Sequence, residues 1–117
     1  MALEILISDD HTLFRQGLRS LLENEGFRVA GEAGDGRSAV KLAKQLRPDA
    51  AIVDVGMPNL NGIDATKQIR HESPEVKVIV LSMRSDSRAV LDAFAAGACA
   101  YLLKEAALEE VMVGLKA

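Results

Sequence analysis

The chain has 117 residues, 49% hydrophobic and 26% charged, a formal net charge of −3 and a pI near 5.4. That is enough for one domain with a single core, and the balance excludes disordered and fibrous classes. No apolar run approaches the roughly 20 residues of a membrane span, MALEILISDD has no basic region ahead of its apolar stretch, and scattered Lys and Arg give no nucleic-acid-binding stripe, so a cytoplasmic protein with no membrane contact and no direct nucleic-acid binding by this segment is expected.

In chain order, the first strand is expected over Leu3 to Ser8 and ends in Asp9 and Asp10. A helix over Thr12 to Asn24 carries Phe14, Leu18, Leu21 and Leu22 at helical spacing and stops at Gly26, just past Glu25. A second strand, Phe27 to Ala33, leads to a helix over Gly36 to Leu46 with Val40, Leu42, Ala43 and Leu46 on or near its stripe and Pro48 beyond its end. The third strand, Ala50 to Val53, runs into Asp54, and the next helix, Ile63 to Glu72, ends before Pro74 with His71 favourably placed in its last turn. The fourth strand, Val78 to Leu81, ends at Ser82; a helix over Ser87 to Ala96 follows the cap residues Ser85 and Asp86 and ends at Gly97. Cys99 has no partner for a disulfide and lies among Ala and Gly, so it reads as a small buried hydrophobe. The last strand, Ala100 to Leu103, holds Tyr101, the single tyrosine, and ends at Lys104. Leu108, Val111, Met112 and Leu115 mark a final helix that ends close to its apolar stripe, so residues 1–117 are expected to be an N-terminal domain truncated within or just after that helix.

Alternation of short apolar strands with helices predicts an α/β fold, a flavodoxin-like doubly wound five-stranded parallel sheet of order 2-1-3-4-5 with helices on both faces. Several of the runs are continuously apolar, as strands buried on both sides are. In such a sheet ligands sit beyond the carboxyl ends of the strands. That edge brings Asp9, Asp10, Asp54, Ser82 and Lys104 around one crevice.

Three crowded carboxylates repel one another unless a cation or proton compensates. Oxygen ligands without His or Cys suit a hard ion such as Mg²⁺. Asp10 is expected as a direct ligand, Asp9 as a ligand through water, Asp54 as ligand and reacting group, and the Gly56 carbonyl as a backbone ligand. The plainer alternative is that Asp10 caps the first helix and Asp9 is solvated. Asp54 is the candidate nucleophile toward phosphorus, forming an aspartyl phosphate, with Lys104 offsetting the meeting of two anions. Read alone, Asp54 is a turn residue and Lys104 a surface lysine; their shared sheet edge favours the functional reading. Ser82 offers a hydroxyl to a phosphoryl oxygen or to the backbone, and Tyr101 either packs or swings between inward and outward positions. His11 reads as a loop residue, since no second histidine stands at ligand spacing.

Together, DD at 9–10, DVGMPNLNG from Asp54 to Gly62, LS at 81–82 and YLLK ending at Lys104 resemble the receiver domain of bacterial two-component response regulators over the whole chain. The resemblance implies phosphorylation of Asp54 by a sensor histidine kinase with Mg²⁺, phosphate contact by Lys104, and a conformational response at Ser82 and Tyr101. It also implies a switch that assists its own phosphorylation and dephosphorylation without being a turnover enzyme. SDDHTLFRQGLRSLL, LSMRSDSRAVLDAFAAGACAYLLKEA and the acidic Glu109 and Glu110 are most similar to the NarL/FixJ subfamily, which implies a LuxR-type helix-turn-helix DNA-binding domain after residue 117 and control of transcription. Ala89, Ala93, Ala95 and Ala96 give the fourth helix a smooth face for a homodimer or an output domain. Three positions depart from the common pattern: Glu105 replaces the proline that often follows the lysine, Met83 is larger than usual and narrows the site, and Gly56 widens it. A phosphorylation-independent interaction module is the alternative. A hydrolase or flavin protein fits less well, because position 56 breaks the DxD phosphatase motif and no Gly- or Thr-rich loop follows the first strand.

Overall fold

The computed structural model describes residues 2–83 and 86–106. The elements are β1 (Glu4–Ser8), α1 (Thr12–Asn24), β2 (Arg28–Ala33), α2 (Gly36–Leu46), β3 (Ala50–Asp54), α3 (Gly62–Glu72), β4 (Lys77–Ser82), α4 (Ser87–Ala95), β5 (Ala100–Leu103) and a 3₁₀ turn over Lys104–Ala106. All strands pair in parallel in the order β2-β1-β3-β4-β5, as the alternation predicts. The expected final helix and Ser85 lie outside the described residues.

Side-chain alternation divides the strands between two apolar layers. Ile5, Ile7, Ala50, Ile52, Ile79 and Leu81 face α1, where Leu18 and Leu22 are fully buried. Leu6, Ala51, Val53, Val78 and Val80 face the other way and pack with Ala39 and Ala43 of α2, Ala65 and Ile69 of α3 and Ala93 of α4. Each fully buried Leu or Ile contributes about 1.5–3 kcal/mol, so Leu18 and Leu22, with Phe14 and Leu21 packed beside them, help to hold α1 against the sheet. Small alanines on the second face let three helices approach closely.

Local chemistry ends the helices where the sequence indicates. Asp35, Asn61 and Asp86 each accept a hydrogen bond from the backbone N–H three residues on, at Ser38, Asp64 and Ala89. Gly26 and Gly97 take positive φ (92° and 107°) after α1 and α4.

Three expectations need correction. Strand β3 extends one residue further, because Asp54 pairs with Leu81 and the Val55 N–H continues the ladder to the Leu81 carbonyl, so the acid stands on a rigid strand. Cys99 is exposed; its N–H bonds to the Val78 carbonyl at the start of β5 and its side chain faces away from the core. Nor do the alanines of α4 form one smooth outer face. Ala93 and Ala96 are buried, and Leu91 (66% exposed) and Phe94 (47%) stand out instead.

Between Ile5 and Leu6 the β1–β2 register shifts by a residue, so that Ile5 pairs with Val29 but Leu6 with Gly31. Because side chains alternate with period two, this bulge turns Glu32, opposite Ile7, onto the α1 face.

Candidate phosphoacceptor and metal site

At the carboxyl edge of the sheet, β1 delivers Asp9, fully buried, and β3 delivers Asp54, 4% exposed. Asp10 is exposed, and His11 is the N-cap residue of α1 without a side-chain cap bond. The reading of Asp10 as a helix cap therefore fails, and so does that of Asp9 as a solvated residue. Ligand atoms of Asp9, Asp10, His11 and Asp54 all lie within 4.8 Å of one another. This donor set fits a divalent cation: two carboxylates are buried or nearly so, a third is open to solvent, and the charge they share demands a counter-ion.

Lys104 enters from the turn after β5 with its side chain 9% exposed. Its Nζ donates to Asp9 Oδ1 at 3.0 Å, stands 2.8 Å from Oδ2 and 3.7 Å from Asp54 Oδ2, and lies 4.7 Å from the centre of the Phe14 ring. It also approaches His11 Nδ1 at 2.7 Å; an ammonium has only protons to offer, so this ring nitrogen accepts. The His11 backbone N–H donates to Asp9 Oδ1 at 2.8 Å. His11 thus belongs to the site rather than to a passing loop. The sequence clue was its place between the acid pair and the helix start.

Burial, and then repulsion from Asp9, pushes the Asp54 carboxyl above its ordinary pKa; Lys104 and a hydrogen bond from the Gly56 backbone pull against this, and Asp10 adds to the repulsion. Beside it opens a cavity of about 190 Å³ lined by His11, Asp54, Val55, Gly56, Ser82, Met83 and Lys104. Ser82 is buried at its wall, and Met83, 81% exposed, stands at its mouth. A Cβ at Gly56 would lie 3.9 Å from Asp54 Oδ2, so glycine keeps this side of the carboxylate clear. The structure brings Asp9, Asp10, Asp54, Gly56, Ser82 and Lys104 together. Tyr101 stands apart, half-buried beside the α2, α3 and α4 layer and paired with Val80.

Two glycines, Gly62 at the end of the DVGMPNLNG motif and Gly36 at the start of α2, fix the loop after Asp54. A Cβ on Gly62 would come within 2.3 Å of the Asp54 carbonyl oxygen, and one on Gly36 within 1.7 Å of the Leu60 carbonyl oxygen. Hydrogen bonds from Gly62 N–H to the Val55 carbonyl and from Gly36 N–H to the Pro58 carbonyl complete the clamp. There is no cis peptide among the described residues, so the chain passes from Leu103 through Glu105 without one.

The family of response regulator receiver domains matches residues 5–116. Over 104 residues the chain is 40% identical to the chemotaxis protein CheY of Thermotoga maritima, covering 89% of this chain and 87% of that one. It is 38% identical over 115 residues to the transcriptional regulatory protein DegU of Brevibacillus brevis, covering 97% of this chain but 49% of that protein, so it spans about half the length of this relative. Among solved structures, the signal receiver domain of the response regulator NarL from Mycobacterium tuberculosis superposes with a TM-score of 0.93 at 30% identity, covering 98% of this chain and 94% of that one.

Proposed function

The chain belongs to the family of response regulator receiver domains, and we propose that it is a phosphorylation switch in which Asp54 accepts a phosphoryl group from a sensor histidine kinase. The observation that carries this reading is a nearly buried carboxylate, Asp54, facing a cavity of about 190 Å³ with Lys104 and Ser82 on its walls and two further acids beside it.

Asp9, Asp10, Asp54 and the Gly56 carbonyl are the groups that would hold Mg²⁺, with Asp9 acting through water. When bound, the ion supplies positive charge where nucleophile and phosphoryl group, both anionic, must meet. An Asp54 carboxylate oxygen forms the new bond to phosphorus as the bond from phosphorus to the donor's nitrogen breaks, and the electron pair leaves with the donor. Asp54 attacks as a carboxylate, which has no proton to lose, so the step needs no general base. Lys104 moves from Asp9 toward the phosphoryl oxygens, a shift its 3.7 Å separation from Asp54 makes short. Ser82 donates its hydroxyl to the same group. With Ser82 and Lys104 drawn inward, Tyr101 repacks and the surface of α4 and β5 changes. The exposed Leu91 and Phe94 give that surface its apolar character for a homodimer or an output domain. Met83 at the cavity mouth narrows the path of attacking water, and Gly56 opens it from the other side.

Relatives that regulate transcription and extend beyond the matched region support a DNA-binding output domain of the LuxR type in the parent protein. No described helix is long and apolar enough to cross a membrane, and we place the protein in the cytoplasm. The test is intact mass after incubation with acetyl phosphate and Mg²⁺. One added phosphoryl group, abolished by EDTA and by Asp54→Asn, is expected. No gain, with acetyl phosphate or with candidate kinases, would refute the switch and favour a phosphorylation-independent interaction module.

A further inference from the structure

We propose that Arg15 is a positioning residue for the acidic site, fixing the backbone of Asp9 through an anchor on β2 and thereby setting the site's metal affinity. The inference rests on the metal site of the proposed function. Arg15 lies on α1 with its side chain 18% exposed. Its Nη1 donates to the Asp9 carbonyl at 2.5 Å, and its Nε donates to Glu32 Oε1 at 2.8 Å. The second Glu32 oxygen accepts from Arg19 Nη1 at 2.5 Å, and Arg19 Nε reaches Glu23 at 3.4 Å. One carboxylate on the sheet therefore holds two guanidinium groups one helical turn apart.

On its other side, the Asp9 N–H donates to the Ala33 carbonyl at 3.0 Å. Both backbone groups of Asp9 are thus tied, one to the β2 backbone and the other, through Arg15, to the neighbouring β2 side chain. A side chain on a peptide pinned at both ends has its direction set, and the Asp9 carboxylate has little freedom to turn out of the site. The anchor is itself built into the sheet. Without the bulge between Ile5 and Leu6, Glu32 would face the opposite layer and Arg15 would lose this carboxylate anchor.

The network also differs from an ordinary surface pair. Arg88 and Asp92 pair on α4 at 85% and 51% exposure, whereas Glu32 is 22% exposed. Burial raises the Glu32 carboxyl, but hydrogen bonds from Arg19 and Arg15 and their charges more than offset it and hold it below its ordinary value. The guanidinium reaches Glu32 and the Asp9 carbonyl from two separate nitrogens, Nε and Nη1; lysine brings the charge on a single nitrogen without that spread.

The test reads metal affinity with no phosphodonor present, from the loss of free Mn²⁺ paramagnetic signal on titration and its recovery on competition with Mg²⁺. Wild type, Arg15→Lys, Arg15→Met and Glu32→Gln are compared, each checked by its melting curve. Both Arg15 variants should bind about tenfold more weakly or worse, the usual cost of removing a group that orients a ligand. Their rate of phosphorylation by acetyl phosphate at saturating metal should stay within about twofold of wild type, because chemistry is untouched once the ion is held. Glu32→Gln, which keeps Arg15 but loosens its anchor, should show a smaller loss and serves if the Arg15 variants fail to fold. Wild-type affinity in either Arg15 variant, or in Glu32→Gln where that variant must serve, or a rate defect that saturating metal does not repair, would overturn the inference and leave the proposed function standing. No metal binding by the wild type would overturn both.

Discussion

Replacing the proposed phosphoacceptor should make this protein more stable. Asp54 is 4% exposed, and a carboxylate oxygen of Asp9 lies within 4.8 Å of one of its own. At an effective dielectric of about 20, that separation corresponds to about 3.5 kcal/mol of repulsion. Lys104, 3.7 Å away, returns about 4.5 kcal/mol of attraction on the same scale. These two nearly cancel, and the exposed Asp10 adds a further, largely screened repulsion. What remains is the cost of holding a charge out of water, in line with burial being the first cause of the raised Asp54 pKa. Asp54→Asn should therefore gain about 1–3 kcal/mol at pH 7 without metal, the scale of one poorly compensated buried polar group. For a domain of this size, that is a rise in Tm of about 4–12 °C.

The pH dependence has a definite sign. A carboxyl with a raised folded-state pKa takes up its proton in the folded protein before the unfolded chain does, so its penalty is full above the raised value. As pH falls through that value the penalty shrinks, and it is gone below the unfolded value of about 3.9. The advantage of Asp54→Asn should be largest near neutrality, shrink on acidification and vanish below about pH 3.9. Lys104→Met should do the reverse, destabilising by about 3–5 kcal/mol because it leaves Asp9 and Asp54 without their cation. The assay is thermal and urea denaturation in EDTA across this pH range. An Asp54→Asn protein less stable than wild type at pH 7, or a gain independent of pH, would refute the charge-crowding argument.

Two further predictions concern the groups that frame the site. Ser8 is fully buried between Ala33 and Val53 on the paired strands, and among the described residues its Oγ has no hydrogen-bond partner, so Ser8→Ala should raise stability by about 1 kcal/mol. A lowered urea midpoint would show that the hydroxyl is satisfied after all. Gly62→Ala should cost about 3 kcal/mol and slow phosphorylation, since its Cβ would meet the Asp54 carbonyl oxygen at 2.3 Å and the Val55 Cα at 2.7 Å, both backbone atoms with little room to yield. An unchanged melting curve and rate would mean the loop carries no such constraint.

The sequence by itself determined the layout: five runs, each short enough to be a strand and four of them followed by a charged or hydroxyl residue, leave few topologies once crossovers are right-handed. It therefore also determined which residues gather at one edge, because Asp9, Asp54, Ser82 and Lys104 each close a run whose end the topology fixes. Such readings succeed because hydrophobic period and strand-end position are local properties of the chain. The tertiary structure alone decided what those side chains do to one another. Asp9 is buried and Asp10 exposed although they are neighbours of the same type, and Lys104 rests nearer to Asp9 than to Asp54. His11 joins the site, Cys99 turns outward, and a one-residue bulge gives Glu32 to Arg15 and Arg19. Each of these depends on contacts between segments far apart in sequence. A single-residue shift in register reverses the facing of every side chain beyond it, and no local pattern carries that information.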